Sequence, residues 1–304
     1  MRFSLVVATR GRVEPLERLV ASLREQTHQD FELILVDQNG DDRLLPLVSS
    51  CRDRLRLIHT RSQPGATISR NAGMRLTTGQ IIAFPDDDCW YEPNTLAKAI
   101  EGLNQFPDAD GILVRCLNDL GEPLTAANIT DVTRVDRNNV FHIGLMISMF
   151  IKADLVKDLG GFDERLGPGP RPDWIGGEET DLLLRLMKVG AEIWFWPSAR
   201  VWHPRWPEQS DAKALDRRNR NIVGLMAVMK RHGYRITTPV AALTDGFFGF
   251  VSRLRKGKVK HLHDFHSGVF SVLKGWFFSD ARKMPKHLMD RVNALRLARQ
   301  NRSG

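Results

Sequence analysis

Residues 80–90 read QIIAFPDDDCW, an apolar run closed by Pro85 and followed at once by three carboxylates, Asp86, Asp87 and Asp88. A short, near-continuous apolar run of this kind suits a strand covered on both faces, as in a parallel sheet. Ligands of open α/β sheets bind beyond the carboxyl ends of the strands, which is where these acids fall. Two carboxylates about 4 Å apart repel by roughly 4 kcal/mol at an effective dielectric near 20. Three in a row therefore call for solvent, protonation or a cation, and hard divalent ions such as Mg²⁺ or Mn²⁺ accept carboxylate oxygens alongside phosphates. Period-two geometry puts Asp86 and Asp88 on one side and Asp87 on the other. The competing reading is an exposed acidic turn that caps the helix after Pro93.

Outward from this stretch, the first 120 residues repeat the strand–helix pattern. Further strands are expected at Phe3–Ala8, Phe31–Val36, Leu55–His59 and Gly111–Cys116. Leu16, Leu19, Val20 and Leu23 form an i, i+3, i+4, i+7 stripe behind Pro15, and Leu96, Ala99, Ile100 and Leu103 do the same behind Pro93. This alternation predicts a doubly wound α/β sheet. Six glycines and three prolines between Gly160 and Gly177 predict a long loop, of the kind that often forms a lid or substrate wall. A helix, a strand at Glu192–Trp196 and a helix bearing Ile222, Leu225, Met226 and Met229 follow it.

Of the 304 residues, 42% are apolar and 26% charged, ordinary values for a globular protein. No run reaches the roughly 18 apolar residues of a membrane span, and the amino terminus is too short for a secretory signal. A cytoplasmic protein is expected. Cys51, Cys89 and Cys116 show no metal or redox spacing, which fits a reducing compartment. The net charge of +8 is unevenly held: residues 231–304 carry +11 and residues 1–230 carry −3. Apolar stripes in this basic tail fall at Phe247, Phe250, Val251 and Leu254, at Val269, Val272, Leu273 and Trp276, and at Leu288, Val292 and Leu295. Such helices lie in an anionic membrane interface or pack on the rest of the chain with a solvated basic side. Nucleic acid is not expected, because no nucleic-acid-binding motif accompanies the charge.

The opening VVATRGRVEPLERLVASLREQTHQDFELILVDQNGDD resembles the first βαβ unit of family 2 glycosyltransferases, through Thr9, Arg12, Leu16, Ser22, Leu23, Gln26 and Asp37. GATISRNAGMRLTTGQIIAFPDDDCWYEPNTL resembles that family's Arg-Asn-x-Gly helix and Asp-x-Asp motif, and GFDERL with GGEETDLLLRLMKVGAEIWFWPSARVWH its acceptor loop, acidic pair and terminal histidine. The resemblance spans about residues 3–230. It implies a GT-A fold, Rossmann-like with a doubly wound mixed sheet. The expected catalytic domain is 1–235, with a nucleotide-sugar half to about 120 and an acceptor half beyond it. A basic helical extension would occupy 236–304. Two departures stand out: the usual Asp-Asp-Gly-Ser is Asp37-Gln38-Asn39-Gly40, and the usual Glu-Asp is Glu178-Glu179. No Gln-x-x-Arg-Trp, the mark of processive synthases, is present.

The resemblance implies an inverting, metal-dependent transfer from a nucleotide-sugar, with UDP-sugars favoured, to a hydroxyl of a saccharide or lipid-linked acceptor. Thr9, Arg10, Arg12 and Asp37 would line the nucleotide pocket, and Arg70, Asp86 and Asp87 would complete the nucleotide-sugar site. Asp88 and His203 would hold Mn²⁺ or Mg²⁺. Glu179 shares a helical face with Leu182, Leu183 and Leu186, so it is expected to point into the cleft as the base, with Glu178 the runner-up. Asp181 would position the acceptor or the helix, and Trp174 would stack on a sugar. Cell-surface saccharide or glycolipid synthesis is the expected setting, peripheral on the cytosolic face of the membrane. The alternatives are a sugar-phosphate nucleotidyltransferase, which lacks its Gly-rich loop here, and a non-catalytic nucleotide-sugar-binding scaffold.

Overall fold

The computed structural model describes residues 1–51, 55–125, 129–169, 175–205, 212–235 and 270–301. Nine strands form one sheet: β1 (Phe3–Thr9), β2 (Phe31–Asp37), β3 (Leu57–Arg61), β4 (Ile81–Ala83), β5 (Trp90–Tyr91), β6 (Gly111–Leu117), β7 (Thr133–Arg134), β8 (Met149–Lys152) and β9 (Ile193–Trp202). Their order is β3-β2-β1-β4-β8-β6-β9-β5, with β7 also paired to β9. β1 to β4 run parallel, while β8 lies antiparallel between β4 and β6. The mixed, doubly wound sheet of a GT-A fold is therefore present.

Alternate residues along each strand separate the two faces. Leu5 and Val7 of β1, with Leu33 and Leu35 of β2, pack under α1 (Glu14–Arg24), α2 (Leu45–Cys51) and α4 (Thr95–Gln105). Val6, Ile34 and Val36 face the opposite layer, built from α3 (Ala66–Met74), α5 (Val140–Ile143), α6 (Ala153–Asp158), α7 (Glu178–Lys188), α8 (Ala212–Arg231) and α9 (Lys286–Gln300). Contact between α3 and the sheet is close. A Cβ on Gly73 would come within 2.5 Å of Val6 Cγ1 and 2.8 Å of Val36 Cγ2.

Several expected boundaries shift. β3 starts at Leu57 rather than Leu55 and ends at Arg61, and β9 continues past Pro197 to Trp202. A register shift between Val114 and Arg115 lets β6 follow β9 across that proline. β5 and β7 have two residues each, too short to leave a periodic signal. The expected loop is non-regular wherever the structure describes it, at 160–169 and 175–177. The three cysteines are free and buried, and burial pushes the Cys89 and Cys116 thiols up.

The Phe247–Leu254 stripe lies outside the described residues, as does Val269. Of the later stripes Leu273 is exposed, while most of the other described members pack inward. Val272 and Trp276 are buried against Met226 and Met229 of α8, and Leu288 and Val292 of α9 are fully buried, with Val292 in the core beneath the sheet. Arg299 fastens the far end of α9 by donating to Asp110 at 2.6 Å. No helix among the described residues is long and apolar enough to cross a membrane.

Candidate functional site

The acidic triplet begins three residues past the end of β4, beside the carboxyl ends of β1 and β2. It is a tight turn rather than an extended strand, since the Cys89 N–H reaches back to the Asp86 carbonyl at 3.2 Å. The turn still brings Asp86 and Asp88 together. One ligand atom from each, and one from His203 at the end of β9, lie within 4.8 Å of one another. Asp87 points elsewhere: it accepts from Thr9 Oγ1 at 2.7 Å and from Arg12 at 2.9 Å. Burial raises the Asp87 carboxyl, against the Thr9 bond and the Arg12 charge.

The donor chemistry of the cluster fits a hard divalent cation. His203 Nδ1 faces the Pro204 carbonyl at 2.6 Å, an acceptor only, so this nitrogen carries the hydrogen and neutral imidazole turns a lone pair on Nε2 toward the site. Nε2 lies 3.2 Å from Asp88 Oδ1, a buried oxygen without an aligned hydrogen bond. Two lone pairs at this distance need a proton or a metal between them. Burial disfavours the proton, yet the Asp88 carboxylate outweighs it and raises the His203 pKa. Asp88 itself is pushed up by burial and pulled further down by His203 and Arg12, for a net lowering. Six-coordinate Mg²⁺ with bonds near 2.1 Å spans about 4.2 Å between opposite ligands, so small side-chain adjustments close the set.

A second acidic group faces the first across Arg70. This buried guanidinium donates to Asp86 at 2.8 Å and reaches Glu178 Oε1 at 3.5 Å. Glu178 and Glu179 open α7 behind Gly177, which is held at φ +84° and packs on Gly224 and Val228 of α8. Each glutamate keeps one buried Oε2 without a hydrogen-bond partner. Burial, and then the Glu178 charge, push the Glu179 carboxyl well above its usual range.

Residues 4–148 match the model of a family described as glycosyl transferase family 2. The matched stretch is 145 of the chain's 304 residues, and it is this stretch that resembles the family. An uncharacterized glycosyltransferase of Haemophilus influenzae is 26% identical over 61% of this chain and 62% of its own length. Glycosyltransferase AglE of Haloferax volcanii is 23% identical over 56% of this chain and 59% of its own. The chain thus spans about three fifths of the length of these relatives. Among solved structures, S. aureus TarS 1–349 superposes with a TM-score of 0.62 at 16% identity, covering 98% of this chain and 88% of that one. Its complex with UDP-GlcNAc gives 0.60 at 16% identity, covering 98% of this chain and 89% of that one. At this identity the likeness is one of fold.

Several expected site residues are engaged by partners within the chain itself. Thr9 is fully buried and its hydroxyl donates to Asp87, so it supports the acidic turn. Asp37 is also fully buried. Its Oδ1 accepts from the Asn39 N–H and side-chain amide, both at 2.8 Å, and its Oδ2 lies 3.2 Å from His59. Asn39 in turn accepts from the Gly11 N–H at 2.7 Å, so it is Asn39 that joins the β1 and β2 loops. Arg12 spans Asp87 and Asp88, and Arg10 is exposed at the end of β1. Glu178, not Glu179, is the deeper of the pair: α7 is buried almost all round, so its leucine stripe does not single out one glutamate. Trp174 lies outside the described residues.

Asp181 serves the helix, with no atom exposed. Arg185 Nε donates to its Oδ2 at 2.8 Å, while Arg231 at 2.7 Å and His232 at 2.9 Å meet its Oδ1. Arg231 also donates to Asp163 at 2.8 Å. Sequence reading missed this network, together with Arg18, Trp90 and Trp202. Arg18 donates to the Asp88 carbonyl at 2.6 Å and lies 4.0 Å over the Trp90 ring, which stacks on Trp202 next to His203. The Trp90↔Trp202 pairing of β5 and β9 holds the two ends of the candidate metal site in register. Only the apposition of distant strands reveals it.

Proposed function

We propose that this chain is an inverting glycosyltransferase that moves a sugar from a nucleotide-activated donor to an acceptor hydroxyl. The observation that carries the reading is the Asp86, Asp88 and His203 cluster set across Arg70 from the Glu178–Glu179 pair. Asp88 and His203, with Asp86 beside them, would hold Mn²⁺ or Mg²⁺. A divalent ion bound there supplies positive charge to the departing nucleotide phosphate. Asp86 is the most open carboxylate of the triplet and receives ribose or sugar hydroxyls. Arg70 fixes the distance between the donor side and the acidic pair. Arg10, Arg12 and the Asn39-capped Asp37 border the nucleotide.

Glu178 is tied to Arg70, so Glu179 is the carboxylate left to take the proton from the acceptor hydroxyl as it attacks the anomeric carbon. Its raised pKa brings it toward the working range of a base. A UDP-sugar is the favoured donor, supported by the UDP-GlcNAc and UDP complexes of TarS, which shares the fold. The acceptor is a saccharide or lipid-linked saccharide, and the +11 tail would keep the enzyme on an anionic membrane surface that presents it.

A panel of nucleotide-sugars with Mn²⁺ tests this reading. A true donor at 100 times its Kd adds about 2.7 kcal/mol of stability, and turnover releases nucleoside diphosphate or monophosphate. Glu179→Gln retains donor binding and loses transfer. Release of pyrophosphate refutes the transferase, and full activity of Glu179→Gln refutes the base.

A further inference from the structure

The helical segment that ends in Lys274–Phe278 has two apolar faces, and the protein covers one of them. Val272 and Trp276, four residues apart, are buried on α8. Gly275 lies so close to that helix that a Cβ would come within 2.3 Å of the Val223 carbonyl oxygen. On the other face Phe270, Leu273 and Phe277 recur at i, i+3, i+7, with Phe278 alongside, and they are 67%, 45%, 49% and 78% exposed. Among the described residues these three are the only phenylalanines that stand exposed. The Phe277 and Phe278 rings lie 6.4 Å apart, which makes the face continuous. Exposed Lys283 and Lys286 follow directly in the chain.

We propose that this face is the contact of the protein with an anionic lipid bilayer. The phenyl rings enter the boundary between headgroups and acyl chains, and the lysines lie over the lipid phosphates. The inference rests on the membrane reading of the tail given above and names the surface that makes the contact. Charge decides the occupant. A two-fold contact with a second copy would set two surfaces from the same +11 segment against each other, whereas an anionic bilayer complements both the charge and the protruding rings.

The location gives the contact a purpose. Gly176 and Gly177, which lead into Glu178, pack on Asn221, Gly224 and Val228 of α8. Gly275 packs on Val223 and Met226 of the same stretch of α8. One helix, roughly 10 Å across, therefore separates the lipid-facing segment from the loop of the acidic pair. The head of a lipid-anchored acceptor can reach that loop while its tail stays in the bilayer.

The test is co-sedimentation of the full chain with vesicles of phosphatidylcholine alone or with 30% phosphatidylglycerol. The wild type binds the anionic vesicles, and binding weakens as salt is raised. The triple variant Phe270→Ser, Phe277→Ser, Phe278→Ser loses on the order of 1,000-fold in vesicle affinity, since each of the three rings withdrawn from the interface is worth about tenfold. Its donor hydrolysis is unchanged, because none of the three residues belongs to the site. Phe278→Trp provides a second readout that leaves the apolar face intact, with fluorescence quenched by brominated lipids. Wild-type affinity in the triple variant, or no quenching in Phe278→Trp, overturns the proposal. So does a wild type that ignores vesicles and forms a dimer that the triple variant abolishes. If vesicle binding follows these residues but no donor is ever turned over, the surface stands and the transferase reading falls.

Discussion

Replacing Asp181 by Asn removes one charge from a site with no access to water. In the native chain Asp163 and Asp181 face Arg185 and Arg231, and all four side chains are 0–2% exposed, so the buried charges cancel. The Asn variant keeps shape and volume but leaves one uncompensated cation, because His232, whose pKa burial already lowers, stays neutral. Breaking a buried pair in this way costs about 3–5 kcal/mol. With a urea m-value near 3 kcal/mol/M, the midpoint falls by roughly 1–1.7 M. Arg231→Met alone leaves one uncompensated anion, at a similar cost. The double variant is neutral again, so it costs about 2–3 kcal/mol less than the sum of the two. The pH dependence follows from the sign of the shift. Burial alone would raise the Asp181 carboxyl, but Arg185, the His232 hydrogen bond and Arg231 outweigh it and hold it far below the ordinary range. Its contribution is full above about pH 4, where an unfolded Asp is ionised, and is lost only as pH falls toward the depressed native value. The gap between wild type and Asp181→Asn is therefore constant from pH 5 to 8 and closes in acid. Strictly additive single variants, or a midpoint shift under 0.3 M, would refute the charge-balance argument.

Three further outcomes follow from particular contacts. Mn²⁺ must displace the proton that His203 shares with Asp88, and because that pKa is raised, affinity measured by electron paramagnetic resonance climbs with pH through the region above about 6.5 before levelling; a pH-independent affinity rules out His203 as a ligand. Gly73→Ala drives a methyl group into Val6 and Val36 and costs about 1–3 kcal/mol in chemical unfolding, whereas a neutral effect would mean that α3 is free to lift from the sheet. Leu288→Ala in α9 costs about 2–4 kcal/mol, as a core residue does, and a loss below 0.5 kcal/mol would mean that α9 does not rest on the domain.

What was legible in the sequence is what periodicity encodes. β1, β2 and β6 lie within a residue of their apolar runs, and α1 and α4 carry the stripes that fix them, because each such element buries a face at a fixed spacing. The Asp86 and Asp88 pairing was also legible, although a turn produces it and not the pleat. Residues that act through distant partners were not. That Asn39 and His59 hold the Asp37 carboxylate, and that Thr9 donates to Asp87, only the fold shows. The tail misled in another way: a stripe beside lysines reads the same whether it faces lipid or protein. In the segment before Phe278 the structure turns Val272 and Trp276 inward against protein and leaves the phenylalanines exposed.

Charge bears on how residues 1–230, which carry −3, would accept the proposed anionic donor. Asp86, Asp87, Asp88, Glu178 and Glu179 converge on two guanidinium groups, those of Arg12 and Arg70. Asp88 raises the proton affinity of His203 against burial, and burial followed by the Glu178 charge raises that of Glu179. A diphosphate arriving alone would worsen the imbalance and be repelled. On the proposed reading a divalent cation held by Asp88 and His203 would reverse it, supplying positive charge where the histidine otherwise carries a proton. On that reading the acidic cluster would take up the nucleotide only together with the metal. Donor affinity should therefore rise steeply with Mn²⁺ at fixed ionic strength, and equal donor affinity in its absence would contradict this account.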